Sequence, residues 1–66
     1  MQTRIRKARE QRNITKSKAA EELGISLKSL YNYEHGQEVP SSVLIKMSQL
    51  YDYSTDYLLG LSTTLL

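Results

Sequence analysis

Four side chains at helical spacing near the middle of the chain carry groups that could do chemistry. They are Lys28, Tyr31, Asn32 and His35. At 100° per residue, they fall on one side of a helix. An ammonium group, an amide and two aromatic rings with polar atoms can pair with the edges of base pairs. The pattern therefore predicts a recognition helix; an ordinary surface helix of a small bundle is the alternative.

The helix that must carry these groups is marked at both ends. Ser26 is a good N-cap, because its hydroxyl can accept a hydrogen bond from a free helix N–H. The spacing predicts a helix from about Leu27 to His35, and Gly36 stands where a left-handed residue ends helices. Leu30 and Tyr33 fall on the opposite side from the polar set, so we expect them in the core.

A second short helix directly precedes this one. Thr15 caps a segment from Lys16 to Leu23, and Gly24 opens a tight turn of about three residues between the two helices. The small side chains of Ala19 and Ala20 would let the helices approach closely. Two short helices joined in this way match a helix-turn-helix.

These residues resemble the helix-turn-helix of Cro/CI-type phage repressors, also called XRE-like regulators. The similarity covers about Ile5 to Gly60. It implies an all-α, five-helix lambda-repressor-like DNA-binding domain over residues 1–60, with the helix-turn-helix formed by helices 2 and 3. A short apolar tail, residues 61–66, follows. The residues that carry the resemblance are Thr15-x4-Ala20-x2-Leu23-Gly24-Ile25-Ser26-x3-Leu30-x2-Tyr33-Glu34-x-Gly36, then Pro40, Val43–Met47 and Ser54–Gly60.

The resemblance assigns base reading to the outward side of the third helix. Lys28 can donate to guanine, and Asn32 can form two hydrogen bonds with adenine. Leu27 offers apolar contact to a thymine methyl, and Tyr31 can reach a methyl or a phosphate. A solvated surface is the alternative for Lys28 and Asn32, whereas Leu27 could instead turn toward the core.

Phosphate contacts are expected at Lys16, Lys18 and Gln37. Both lysines lie in the first turn of the second helix, where the helix dipole is already positive, and a bound phosphate would balance that charge. The family often has glutamine at the position of Lys16. In the family the loop that holds Gln37 grips phosphate; a plain connecting loop is the alternative. The resemblance also implies a structural ion pair between Arg9 and Glu34.

The remaining helices complete the predicted domain. The first runs from about Thr3 to Arg12 and ends at Asn13, which tolerates a left-handed conformation. The fourth runs from about Ser42 to Tyr51 with a broad apolar face. Ser54 caps a fifth helix that stops at Gly60.

The charge is divided unevenly between the two parts of the chain. The 66 residues carry a net charge of +2. Residues 1–18 hold seven basic side chains and one acidic one, a net +6, whereas residues 19–66 hold two basic and six acidic ones, a net −4. This asymmetry predicts one face for a polyanion, with a solvated basic helix as the alternative.

The composition excludes several classes of function. With no cysteine and a single histidine, the chain offers no thiolate metal site and no nucleophile–base set. We therefore expect no enzyme, cofactor or metal, and no small-molecule ligand is evident. The apolar runs are too short to span a membrane, and no signal peptide is recognisable.

The predicted function is a transcriptional regulator, a repressor that binds a palindromic operator on double-stranded DNA as a homodimer. Helix 5 and the tail would form the dimer contact, with two recognition helices in successive major grooves. A cytoplasmic location in a bacterium or phage-infected cell is expected. The alternative is a protein-interaction module of the same fold, an antitoxin or antirepressor partner, to which the acidic second part and apolar tail would contribute.

Overall fold

Five α-helices make up the part of the chain that the structure, a computed structural model, describes: residues 3–61. There are no strands among these residues, so the all-α prediction is confirmed. The helices are α1 (Ile5–Gln11), α2 (Lys16–Leu23), α3 (Leu27–Glu34), α4 (Ser41–Tyr51) and α5 (Thr55–Leu59). α1 packs against α3, α4 and α5, while α2 packs against α3 and α4.

Four helix ends differ from the sequence prediction. α1 is shorter at both ends: the Arg4 N–H donates to Leu58 O at 2.8 Å instead of continuing a helix, and the helix ends at Gln11 with Arg12 as its C-cap. Asn13 takes the left-handed conformation predicted for it, with a φ of 58°. α4 begins one residue earlier than expected, at Ser41, because Pro40 already has the extended conformation that precedes a first turn. α3 ends at Glu34, with His35 as its C-cap.

One core joins all five helices, and apolar side chains from each helix meet there. Leu30 and Met47 are fully buried, as are Ile5, Tyr51 and Leu58. Around them pack side chains that are partly buried: Ile14, Ile25, Val39, Val43, Leu44 and Leu50. The four tyrosines other than Tyr31 are also buried: Tyr33, Tyr51, Tyr53 and Tyr57.

An ion pair between α1 and α3 lies inside this core. Arg9 Nε donates to Glu34 Oε2 at 2.7 Å, and a second guanidinium nitrogen lies 3.4 Å from Oε1. The third nitrogen donates to Ile14 O at 2.8 Å. The Arg9 side chain is 7% exposed and that of Glu34 is 0% exposed. A buried pair is tolerated only when further hydrogen bonds satisfy the charges, and Ile14 supplies one here.

Two further arginines of the basic segment bind helix carbonyls. Arg12 Nε donates to Tyr51 O at 2.7 Å, and the guanidinium lies 4.5 Å from the centre of the Tyr53 ring. Arg4 Nη1 donates to Tyr57 O at 3.3 Å. These two arginines, like Arg9, thus make contacts within the fold, and a face for a polyanion on the basic segment stays a prediction.

The buried ion pair predicts a strong dependence of stability on both partners. We expect Glu34→Gln to lower the free energy of unfolding by about 3–5 kcal/mol, because it leaves the Arg9 charge buried without a counter-charge. The double variant Arg9→Met with Glu34→Leu should lose much less than the sum of the single changes. Urea denaturation followed by circular dichroism measures all three.

A matched control exists on the surface of α1. Arg6 and Glu10 form an ion pair of 3.1 Å whose side chains are 57% and 53% exposed. Glu10→Gln should cost less than about 1 kcal/mol, since exposed pairs contribute little. Equal losses for Glu10→Gln and Glu34→Gln would contradict the role of the buried pair.

A second titratable group is buried close to this pair. Tyr51 is fully buried, and its hydroxyl has no hydrogen-bond partner among the described residues. Burial, together with the charge of Glu34 and against the opposing charge of Arg9, raises the pKa of Tyr51 from 10.0 to about 12. The buried hydroxyl therefore lowers the free energy of unfolding, and it lowers it further at alkaline pH.

Tyr51→Phe should stabilise the protein by about 1 kcal/mol at neutral pH, because an unsatisfied buried hydroxyl is costly and the ring remains. The unfolded tyrosine releases its proton at a lower pH than the folded one. The wild type should therefore lose stability as pH rises from 10 to 12, by up to about 3 kcal/mol, and the variant should lack this loss. Denaturation of both proteins at about pH 9 and about pH 11 measures it. If the wild type and the variant differed in free energy of unfolding by the same amount at both pH values, the raised pKa of Tyr51 would be contradicted.

Candidate nucleic-acid interface

Two capped helices and the turn between them form the centre of the candidate site. Thr15 Oγ1 accepts a hydrogen bond from the Lys18 N–H at 3.2 Å, and Ser26 Oγ accepts one from the Ser29 N–H at 3.0 Å. Gly24 ends α2 with a φ of 70°, a conformation that glycine adopts without strain. The chain thus passes from α2 to α3 within residues 24–26, as the helix-turn-helix prediction requires.

The inner side of α3 is fixed by the core. Leu30 is fully buried and Tyr33 is 8% exposed, while Ala19 and Ala20 of α2 are buried beside α3. Because these alanines are small, α2 and α3 can pack with little space between their backbones. The opposite side of α3 is therefore held outward as a rigid surface.

The outward side of α3 carries the four predicted base-reading residues. Leu27 and Tyr31 are each 53% exposed. Leu27 therefore does not turn into the core, the alternative considered from sequence. Lys28 is exposed and forms no ion pair among the described residues, whereas Asn32 is half-buried. These side chains thus share one surface, with Asn32 the least accessible.

His35 continues this surface at the end of α3. Its ring stacks on that of Tyr31, with centroids 4.0 Å apart and planes inclined by 23°. His35 Nδ1 lies 2.7 Å from Tyr31 O. Since a carbonyl only accepts, Nδ1 must carry the hydrogen in this contact. The sequence placed His35 on the outward side of the helix but did not predict its contact with Tyr31, although two aromatic residues four apart are a recognisable signal for contact on a helix.

The two predicted phosphate-binding lysines of α2 differ in their surroundings. Lys16 is exposed and forms no ion pair with any residue that the structure describes. Lys18 Nζ lies 3.1 Å from Glu22 and 3.6 Å from Glu21. The hydrogen bond and charge of Glu22, with a further contribution from Glu21, raise the pKa of Lys18. Lys18 lies at the positive end of the helix dipole, and the two carboxylates one turn later reduce the cost of placing a cation there. Their spacing of three and four residues from Lys18 could have been recognised in the sequence.

Gln37 lies in the loop between α3 and α4, where the third predicted phosphate contact was placed. Its side chain is exposed, and its backbone N–H donates to Asn32 O at 2.9 Å. This hydrogen bond fastens the start of the loop to the last turn of α3. The last turn of α3 therefore fixes the position of the Gln37 backbone relative to the outward side of the helix.

The chemistry available here is recognition by hydrogen bonds, charge and apolar contact. Among residues 3–61, no group of three or more His, Cys, Asp or Glu side chains is arranged to hold a metal ion. None of the helices in that range has the length and apolar character needed to cross a membrane.

The fold and site define a helix-turn-helix unit, α2 and α3, built into a five-helix domain. A family model described as a helix-turn-helix domain matches residues 3–62. The chain belongs to this helix-turn-helix family, and the resemblance to Cro/CI-type, XRE-like regulators is confirmed.

Two relatives from Bacillus subtilis (strain 168) are similar to the chain. It is 45% identical to the HTH-type transcriptional regulator ImmR over 58 residues, 86% of this chain and 46% of that protein. It is 37% identical to the uncharacterized HTH-type transcriptional regulator YobD over 60 residues, 89% of this chain and 54% of that protein. The chain thus spans about half the length of these relatives. No solved structure matches it significantly.

Proposed function

We propose that this protein is a sequence-specific transcriptional regulator, a repressor, that binds double-stranded DNA with α3 in the major groove. The observation that carries the proposal is the outward surface of α3, where Lys28 projects without an ion-pair partner among the described residues. Both relatives are named as HTH-type transcriptional regulators, which supports the same reading. The core side of α3 is apolar and filled, so only its outward side is available for a groove.

The base-reading set follows the chemistry of the exposed groups. Lys28 donates to the O6 and N7 acceptors of guanine, and Asn32 forms two hydrogen bonds with adenine. Leu27 and Tyr31 supply apolar contact at the same surface. Because Asn32 is half-buried, it reaches a base only where α3 lies deep in the groove.

Phosphate contacts hold α3 in this position without reading sequence. Lys16 and Lys18 lie at the N-terminal end of α2, where backbone N–H groups and the helix dipole also attract an anion. Gln37 adds an amide beyond the other end of α3. Two of these residues precede the base-reading residues in the sequence and the third follows them. On this proposal they contact the DNA backbone on either side of α3.

We further propose that the protein acts as a homodimer on a palindromic operator. The longest dimension of the structure is 28 Å, less than the spacing of about 34–36 Å between major grooves one helical turn apart. One copy therefore covers one half-site. Leu61, two residues after the end of α5, is 63% exposed and supports a contact beside that helix. Residues 62–66 of the tail lie outside the described residues.

On this proposal, residues 1–60 are the DNA-binding domain and residues 61–66 belong to the dimer contact. The regulator would act in the cytoplasm of a bacterium or of a phage-infected cell. A protein-interaction module, as antitoxin or antirepressor partner, is a second candidate, favoured by the exposure of Ile45 on α4 and of Leu61, at 51% and 63%. Retention of the chain on random duplex DNA at low salt would distinguish the two, because a pure interaction module would not be retained.

Selection of binding sites from random duplexes tests the regulator proposal. We expect a consensus with two-fold symmetry, and Lys28→Ala should relax preference at one or two base positions in each half-site, costing about 1–3 kcal/mol there. Lys46→Ala, a lysine of α4 outside the proposed surface, is the matched control and should leave the consensus unchanged. The absence of any consensus with the wild type would overturn the proposal.

The two lysines of α2 should contribute unequally to salt dependence. Lys16→Ala is expected to reduce the slope of log K against log salt by about 0.9 for each copy bound. Lys18→Ala should reduce it less, because the Lys18 ammonium must leave two carboxylates to reach a phosphate. Titrations of operator DNA at several salt concentrations measure both slopes. Equal reductions would show that the ion pairs of Lys18 do not hinder contact.

A further inference from the structure

Two adjoining clefts form a continuous groove across the fold, and no residue of α2 lines it. The first cleft, of about 520 Å³, lies between α1 and the end of α3. The second, of about 370 Å³, lies between the loop after α3 and the helices α4 and α5. Thr3 and Gly36 line both clefts, so the groove runs from α1 to α5. We call it the α1–α5 groove.

The half of the groove beside α1 attracts a negative group. Lys7 is exposed there and forms no ion pair with any residue that the structure describes. Arg6 beside it is offset by Glu10, an exposed carboxylate 3.1 Å away. The other carboxylate in this wall, that of Glu34, is paired with Arg9 at 2.7 Å. Lys7 is therefore the cation of this half that is left to bind an anion.

The half of the groove beside α4 combines apolar side chains with an acidic one. Val39, Leu44 and Leu59 line it, and each is half-buried. Val39 and Leu44 also pack against the core, which holds them in place. Glu38 lines the same cleft, is exposed and has no ion pair within residues 3–61. This half therefore suits apolar groups that lie next to a cation.

An extended peptide matches both halves better than a small molecule or a nucleic acid does. Small-molecule sites bury most of their ligand, whereas both clefts here are half open to solvent. A DNA or RNA backbone would place phosphates along the whole groove, where Glu38 would repel them. A peptide can instead present a carboxylate to Lys7, an apolar side chain to Leu44 and a cation to Glu38.

We propose that the α1–α5 groove binds a segment of a partner protein, an extended peptide in which apolar residues lie between an acidic and a basic residue. The apolar contact supplies binding free energy, and the two opposite charges fix the direction of the peptide. The exposed residues Ile45 and Leu61 do not line this groove, so it is a separate surface from the one they form. Peptide binding here does not require α3 to contact DNA.

Selection from a displayed library of random peptides, with the full chain as the immobilised target, tests this proposal. A length of about eight residues suffices, because an extended chain rises about 3.3 Å per residue and the longest dimension of the structure is 28 Å. The selected peptides should share an order of acidic, apolar and basic residues, in either direction. A synthetic peptide of that consensus, capped at both ends, should bind the wild type in fluorescence anisotropy. Selected peptides without this charge pattern would overturn the proposal.

Exchange of charges identifies the groove as the site. Lys7→Glu should weaken binding of the consensus peptide by about tenfold, because an attraction is lost and a repulsion of similar size is gained. A peptide whose acidic residue is replaced by lysine should regain affinity for this variant. Glu38→Lys should behave in the same way toward the basic residue of the peptide. The matched control is Lys46→Glu, on an exposed residue of α4 that lines neither cleft, and it should leave the affinity unchanged.

The apolar half has its own variant. Val39→Thr keeps the shape of the side chain and replaces one methyl group by a hydroxyl. It should weaken peptide binding by about fourfold, the effect of one buried methyl group, while the circular dichroism spectrum stays that of the wild type. An unchanged affinity in Val39→Thr, or equal losses in Lys7→Glu and Lys46→Glu, would overturn the proposal.

Two other occupants would give different results, and either would overturn the proposal. If a second copy of the chain fills the groove, sedimentation of the chain alone would show a dimer that Lys7→Glu and Glu38→Lys dissociate. If DNA fills it, Lys7→Glu would reduce retention on random duplex DNA as much as Lys16→Ala does. The peptide assays contain no DNA, so failure to select an operator would overturn the regulator proposal and leave the peptide result standing.

Discussion

Arg9 joins three segments of the chain through hydrogen bonds that a single guanidinium can make at once. Its nitrogens reach both carboxylate oxygens of Glu34 and the carbonyl of Ile14, so α1, the connection to α2 and the end of α3 are fixed together. A lysine ammonium is a point charge and could not match this planar arrangement. α3 has only eight residues, and its position against α1 depends on this contact as well as on the apolar core.

Two arginines that flank α1 also bind later parts of the chain through their guanidinium groups. Arg12 binds the carbonyl of Tyr51 at the end of α4, and Arg4 binds that of Tyr57 in α5. Cations are favourable at helix C-termini, where carbonyl groups lack partners and the dipole is negative. Arg4 and Arg12 of the basic N-terminal segment therefore bind carbonyl groups near the C-terminal ends of α5 and α4. These contacts place positive charge from the basic first segment beside helices of the acidic remainder of the chain.

The local parts of this fold could be predicted from sequence, and the distant contacts could not. The caps at Thr15, Ser26 and Ser54 were correct, because each is decided by residues within one turn. The Arg9–Glu34 pair came from the family resemblance, since no pattern relates residues 25 positions apart. The contacts of Arg12, 39 positions from Tyr51, were missed for this reason. The outward side of α3 followed from periodicity, but the degree of exposure of Leu27 required the packed structure.

The ion pairs of Arg9 and Lys18 have a consequence for the proposed recognition of DNA. Attraction to phosphates is independent of sequence and favours every site in a genome equally. It therefore raises the affinity for competing non-specific sites as well as the affinity for the operator. The charge of Arg9 is paired with Glu34 and that of Lys18 lies beside Glu21 and Glu22, so these two cations attract phosphates less than unpaired ones would. If the protein binds DNA as proposed, base edges and the second copy of the proposed dimer supply a larger share of the binding free energy. On the proposed function, such a domain would gain specificity relative to affinity, because less of its binding free energy would be available to the wrong sequence.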